Sequence, residues 1–254
     1  MSRLLPESIK IGLFAGGCWM KRGRAAPIVM QPEKGESLDA SMSAAFASLL
    51  AQLSDGGVGR ARLHVVVSDS LAAISMLPWQ EALADEDELR AYAHVCFERD
   101  GCMIDDSWAM QVGFRHFRAS GMAYALPRLW LEKLQALCDT AGFRLKTVLP
   151  VSAAAYWRLA SARGAVCSLV LLEEASRLTA MVYERGRLIA RDVQPVMADI
   201  DVAGMRLLRR VSASHRPVDA VQTWPASASG PQQGFVHTCW PDVRVTPLLA
   251  EVWS

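Results

Sequence analysis

The chain has 254 residues, 52% of them apolar, and its 27 Lys and Arg against 26 Asp and Glu leave a formal net charge of +1. That length carries one large domain or two intimate subdomains with a sizeable core, and the balanced charge argues against electrostatic capture of nucleic acid or an anionic membrane. No apolar run approaches the ~20 residues that span a bilayer, and Pro6 and Glu7 interrupt the N-terminus where a signal peptide needs an apolar stretch, so the expected location is the cytoplasm.

In chain order, short strands are predicted at Ile9–Phe14, Cys18–Arg22 and Pro27–Met30, punctuated by Gly16–Gly17 and Gly23. A helix follows over Leu38–Leu53, where Leu38, Met42, Phe46, Leu49 and Leu53 recur at helical spacing and form one stripe. Gly56, Gly57 and Gly59 end it. Leu63–Val67 is a nearly continuous apolar strand, as a buried central position requires, and Ser68-Asp69-Ser70 is expected to fold it into a hairpin with Leu71–Leu77. After Pro78, the acidic turn Asp85–Glu88 faces the positive end of a helix dipole, and that helix runs through Leu89, Tyr92, Cys96 and Phe97 to Gly101. Trp108–Phe117 and Gly121–Ala125 read as hairpin partners. Pro127 stands at a first helical position, Trp130, Leu134, Leu137 and Ala141 mark the buried face, and Gly142 is the stop. A strand at Phe143–Leu149 and a helix at about Ala153–Ala162 follow.

Residues 166–224 then repeat the opening order. Strands are expected at Cys167–Leu172, Thr179–Tyr183 and Leu188–Val193, with a turn at Arg185–Gly186, a helix at Ala198–Val211 and a closing strand at Val218–Thr223. Strand, strand, strand, helix, strand thus occurs twice without obvious residue identity. The division is a first half with an α+β insertion over residues 1–150 and a shortened second half over 151–254. Ala226–Gly234 reads as a loop, and a last strand is expected near Val236–Cys239.

Few residue patterns carry chemistry. Cys18, Cys96, Cys138 and Cys167 fall on or beside apolar stripes, where thiols pack as small hydrophobes, and no C-x-x-C pair occurs. His94, Cys96 and Cys102 hold zinc-type donors, but residues two apart on a helix point to different faces; His237 and Cys239 have the same spacing. No metal site is expected. His64 and His116 read as core or edge histidines and Asp105–Asp106 as a turn. There is no G-x-S-x-G, P-loop or G-x-G-x-x-G. Trp130 and Trp157 are expected in the core. Trp79, Trp108, Trp224 and Trp240 stand at element ends, and Trp79 and Trp108 are candidate anchors for a protein partner. Arg206 and Arg210, four apart on a helix, are candidates for an acidic partner.

The element order, together with Leu71-Ala-Ala-Ile-Ser-Met-Leu-Pro78 before an acidic-started helix, Ala141-Gly142-Phe143 leading to Leu149-Pro150, and the stretch from Leu178-Thr179 through Gly186-Arg187-Leu188 to Arg191, resembles the actin-like cytoplasmic assembly proteins of type IV pili and type II secretion: the PilM-like proteins and the cytoplasmic domain of secretion protein L. The resemblance covers most of residues 8–224. It implies an α/β fold of duplicated βββαβ units (RNase H-like, actin-like ATPase) that would hold a nucleotide between its halves.

That resemblance also implies nucleotide motifs, and the chain departs from them. Aligning Ile11–Gly17 to the first phosphate hairpin keeps Gly16 but puts Phe14 where an Asp would organise Mg²⁺. The second hairpin should carry Asp-x-Gly, where this chain has Val170-Leu171-Leu172-Glu173-Glu174, whose charges repel phosphate. The adenosine turn should hold paired glycines, where this chain has Trp224-Pro225-Ala226-Ser227. Gly16 and Gly17 are the candidate residual phosphate turn, beside the reading that they form an ordinary hairpin turn; Glu173–Glu174 are expected in a solvated turn. The expectation is a degenerate site without cofactor: a non-catalytic scaffold binding the cytoplasmic segment of an inner-membrane assembly protein, with the motor ATPase as a second partner, peripheral to the inner membrane. The alternative is an actin-like ATPase or phosphotransferase with divergent motifs, using ATP and Mg²⁺.

Overall fold

A computed structural model describes residues 7–31, 37–56, 61–83, 85–159, 164–225 and 234–249. In its first half, apolar alternation gives β1 (Ser8–Phe14), β2 (Gly17–Arg22) and β3 (Ile28–Met30), and the helical stripe gives α1 (Leu38–Asp55), whose cap Ser37 accepts a hydrogen bond from the Ala40 N–H at 3.4 Å. β4 (Arg62–Val67) runs parallel to β1, and β8 (Arg144–Pro150) runs parallel to β4. The sheet order is β3-β2-β1-β4-β8.

The second half repeats this plan. β9 (Cys167–Glu174), β10 (Arg177–Glu184) and β11 (Arg187–Pro195) form a meander, α5 (Ile200–Ser214) crosses, and β12 (Ala220–Pro225) pairs parallel with β9. The turn Arg185–Gly186 has φ of 47° and 80°, the left-handed pair that a two-residue hairpin needs. β13 (Arg244–Pro247), not anticipated from the sequence, adds parallel to β12, so the order β11-β10-β9-β12-β13 matches the first sheet strand for strand. The duplicated βββαβ frame is therefore present, and each copy carries a fifth, parallel strand.

The insertion contains a third sheet. β5 (Ala73–Leu77), β6 (Trp108–Gly113) and β7 (Gly121–Pro127) run antiparallel in the order β5-β7-β6, and α2 (Glu86–Arg99) covers one face, capped by the Asp85 side chain on the Glu88 N–H at 2.9 Å. The expected hairpin of 63–67 with 71–77 does not form. Both sides of β4 are taken by the parallel strands β1 and β8, and a 3₁₀ turn at Asp69–Leu71 sends the chain to β7 instead. β6 stops at Gly113 rather than Phe117. Pro127 ends β7 and precedes α3 (Arg128–Thr140), which closes before Gly142 at φ 76°.

α4 (Val151–Arg158) starts two residues before its expected place, directly after Pro150, and touches β4, β7, β8 and β9. Near the C-terminus, 236–239 is not a strand but part of α6 (Gly234–Cys239). A short apolar run does not distinguish the two; tertiary contact does. Gly204 in α5 leaves room for the Phe235 ring, which a Cβ there would meet at 2.4 Å, so α6 packs directly on α5. The expected loop at 226–234 lies, except for Gly234, outside the described residues.

The main core lies between α1, α3, α4 and the first sheet, and it continues into the second half: Val170, Leu172, Met181, Tyr183, Leu188 and Trp224 belong to the same apolar cluster as Phe14, Met20 and Val151. A second core fills the far side of the second sheet beneath α5 and α6. Cys18, Cys96, Cys138 and Cys167 are buried free thiols, and burial pushes Cys18 up to about 11 and Cys138 to about 12. Such thiols are inert packing groups at neutral pH.

Candidate functional site

The site to test is the junction of the two halves, where the β1–β2 turn and the β9–β10 turn face each other. Phe14, at the end of β1, is 1% exposed, and Trp224, near the end of β12, is 0% exposed. Their ring centroids stand 5.2 Å apart with planes at 58°, a tilted aromatic pair. Thus the residue at the expected Mg²⁺-organising position packs on the residue at the expected adenosine turn. A Cβ on Gly16 would lie 3.0 Å from the Cβ of Ala175 in the opposite turn, so the two turns are in van der Waals contact at that point. Gly17 takes φ 155° at the start of β2, consistent with a hairpin that needs a glycine.

Beside these rings lies a buried polar cluster. Asp69 is 0% exposed; its carboxylate accepts hydrogen bonds from the Ser152 N–H at 3.0 Å, the Ser152 hydroxyl and the Arg191 guanidinium at 3.2 Å. Arg191 Nε also donates to Ser152 Oγ at 3.2 Å. The first half supplies Asp69, α4 supplies Ser152 at its N-terminal turn, and β11 of the second half supplies Arg191. A carboxylate at a helix N-terminus with a guanidinium partner is a satisfied buried ion. Ser70 and Ser176 hydroxyls approach at 3.4 Å across the same junction.

Glu173 and Glu174, expected in a solvated turn, are instead 6% and 4% exposed at the end of β9. The strand runs two residues further than expected because β10 pairs with it through Glu174 and β12 through Glu173. Glu174 Oε1 accepts from the Asp69 N–H at 3.3 Å. Burial pushes its carboxyl up to about 8; the Asp69 charge adds to this, while Ser68 and Arg177 act the other way. A neutral Glu174 at pH 7 fits a site closed to water. Three surface cavities, of about 600, 600 and 390 Å³, are lined by residues outside this cluster. Chemically, the cluster can tie the halves together. Among the described residues, no group of three or more His, Cys, Asp or Glu is arranged to hold a metal ion.

The candidate partner-binding residues fall apart from the junction and from one another. Trp79 stacks edge-on against Phe114 and Phe117, 5.1 Å from each, and borders the 390 Å³ cavity. Trp108 packs into the small core between the third sheet and α2. Arg210 is spent internally: it forks onto Asp192 at 2.9 and 3.1 Å and reaches Gln194 Oε1 at 2.6 Å, fastening α5 to β11. Arg206 is exposed on α5. His64 is half-buried, with Nδ1 3.0 Å from Thr147 Oγ1, and burial holds its pKa below the usual value. In the sequence, Asp69 reads as a turn residue and Arg191 as part of a strand, with no functional role for either or for Ser152. Their only signal was a charged residue, Asp69, two positions after the buried strand at 63–67.

No protein-family model and no curated protein matches the sequence. Solved structures do. The chain is similar to the PilM–PilN type IV pilus biogenesis complex (12% identity, 95% of this chain and 88% of that chain, TM-score 0.68). It is similar to a Bacteroides thetaiotaomicron protein of unknown function with an actin-like ATPase fold (10% identity, 95% and 90%, TM-score 0.62). It is also similar to the cytoplasmic domain of EpsL, an inner-membrane component of the type II secretion system of Vibrio cholerae (13% identity, 86% and 82%, TM-score 0.54). With its two matched sheets, the chain has the actin-like ATPase fold.

Proposed function

We propose that this chain is a non-catalytic scaffold built on an actin-like frame. It binds the cytoplasmic segment of an inner-membrane protein in a pilus or secretion assembly platform, with the motor ATPase as a second contact. The observation that carries the reading is the Phe14–Trp224 pair: two aromatic side chains occupy the junction in which this architecture would accommodate a nucleotide. The close approach of Gly16 to Ala175 supports it, because it narrows the gap between the two turns. The likeness to PilM–PilN and to the EpsL domain supports the choice of machine. No helix among the described residues is long and apolar enough to cross a membrane.

Titration calorimetry with ATP and Mg²⁺ tests the non-catalytic part. No heat of binding and no phosphate release are expected. Micromolar affinity with turnover would establish the alternative, an ATPase whose motifs diverge.

A further inference from the structure

Three local distortions of the backbone converge on one groove far from the Phe14–Trp224 junction. Among the described residues, the non-glycine positions with positive φ are Arg118 (56°) and Arg185 (47°). A left-handed conformation costs a residue with a Cβ about 1 kcal/mol or more, and glycine would relieve it. Both arginines line the same cavity of about 600 Å³. The third distortion is a bulge in β11. Its register passes from Val182↔Ala190 to Tyr183↔Leu188, which leaves Ile189 without a cross-strand partner, 36% exposed and on the same lining. Bulges of this kind re-aim a side chain.

The lining has a definite chemistry. Arg118, Arg185, Arg187 and Arg216 surround the groove against one carboxylate, Glu184, in a chain whose net charge is +1. Arg118 pairs with the exposed Glu81 at 2.7 Å, and Arg216 lies 4.0 Å from Glu184. Exposed pairs of this kind are worth at most about 1 kcal/mol and exchange readily for a ligand's carboxylates. Arg185 and Arg187 have no side-chain partner among the described residues. The same lining includes two exposed aliphatic side chains, Val166 (50% exposed) and Ile189.

We propose that this groove, between the β6–β7 loop and the β10–β11 hairpin, binds an acidic segment of a partner protein. Carboxylates of the segment are held by the forks of Arg185, Arg187, Arg118 and Arg216, and an aliphatic side chain lies on Val166 and Ile189. Guanidinium groups bind carboxylates through paired N–H donors. The aliphatic lining and the absence of a basic field over the whole chain favour a peptide over a nucleic acid, which needs many phosphate contacts. The inference rests on the scaffold reading for the existence of a protein partner, but not on the state of the nucleotide junction.

The test is selection of displayed random peptides on the full chain, followed by fluorescence anisotropy with an enriched peptide. Enrichment of Asp and Glu interleaved with Leu, Ile or Val is expected, with affinity falling as NaCl rises. The double variant R185E/R187E should weaken the enriched peptide about tenfold or more, the scale of losing charge-assisted hydrogen bonds, with circular dichroism unchanged. Arg185→Gly is the sharper variant: it should raise the unfolding midpoint by relieving the left-handed strain while weakening the peptide. Enrichment without acidic residues would overturn the proposal, as would undiminished affinity in folded R185G. A short oligonucleotide displacing the peptide at lower concentration than free peptide does would assign the groove to nucleic acid instead. ATP calorimetry on the same samples reports on the junction separately, so either reading can fail alone.

Discussion

Phe14 and Trp224 meet at 5.2 Å between ring centroids, joining the end of the first strand of one half to the closing strand of the other. Both are buried, so the contact acts as core. Phe14→Ala should cost about 3–5 kcal/mol, because a deleted buried ring loses its transfer energy and leaves a cavity. Urea denaturation measures it. In a double-mutant cycle with Trp224→Ala, a coupling of about 0.5–1.5 kcal/mol is expected for a direct aromatic pair.

In the scaffold reading, a carboxylate at position 14 does not create a nucleotide site. Phe14→Asp leaves Trp224 and the Gly16–Ala175 contact in place and buries a charge among apolar groups. The variant should bind no ATP by calorimetry and should be less stable than Phe14→Ala.

The Asp69–Arg191 ion pair, at 3.2 Å, crosses the same junction, and the Asp69 side chain is 0% exposed. Removing one partner of a buried pair leaves the other uncompensated, so Asp69→Ala should destabilise by about 3–5 kcal/mol. Ser152→Ala, which removes a neutral hydroxyl from the same network, should cost about 1–2 kcal/mol. Equal losses in chemical denaturation would contradict this ranking.

Glu174 makes stability depend on pH. Its folded-state pKa, about 8, lies above the ordinary carboxylate value of 4.5. The folded state therefore binds more protons than the unfolded chain between these values, and its contribution is complete below about pH 4.5, declines as pH rises, and is lost above about pH 8. Charged Asp69 favours the neutral form of Glu174, and Arg177 opposes it. Glu174→Gln should flatten the decline between pH 5 and 8, read from urea midpoints across that range. An unchanged slope in the variant would show that another group titrates.

Gly204→Ala sets two effects against each other. Replacing a helical glycine gains up to about 1 kcal/mol of propensity, but the new methyl would meet the Phe235 ring at 2.4 Å. Overpacking typically costs about 1–3 kcal/mol, so net destabilisation is expected, with faster amide exchange in α6. Net stabilisation would mean that α6 moves aside freely.

Most of the frame was legible in the sequence because local periodicity carries it. The stripe of α1, the acidic cap of α2 at Asp85, the Arg185–Gly186 turn and the meanders of both halves follow from side-chain spacing and turn chemistry within a few residues. The departures at Phe14 and Trp224 were visible too, against the nucleotide motifs that the resemblance implies. What failed was pairing. Leu71–Leu77 was a strand, but its neighbour was β7 rather than β4. Residues 236–239 were apolar enough for a strand and became a helix because Gly204 admits Phe235.

The sequence by itself determined the order and type of elements over residues 8–224 and their duplication, and it showed the aromatic and acidic residues that stand in place of the motifs that the resemblance implies. Only the tertiary structure decided what those replacements do. Phe14 against Trp224, Gly16 against Ala175, and Asp69 held by Ser152 and Arg191 are contacts between residues far apart in the chain. No local pattern encodes such contacts: they arise when two sheets and the helix between them bury one shared apolar face, and the polar groups trapped there must find partners or lose their charge.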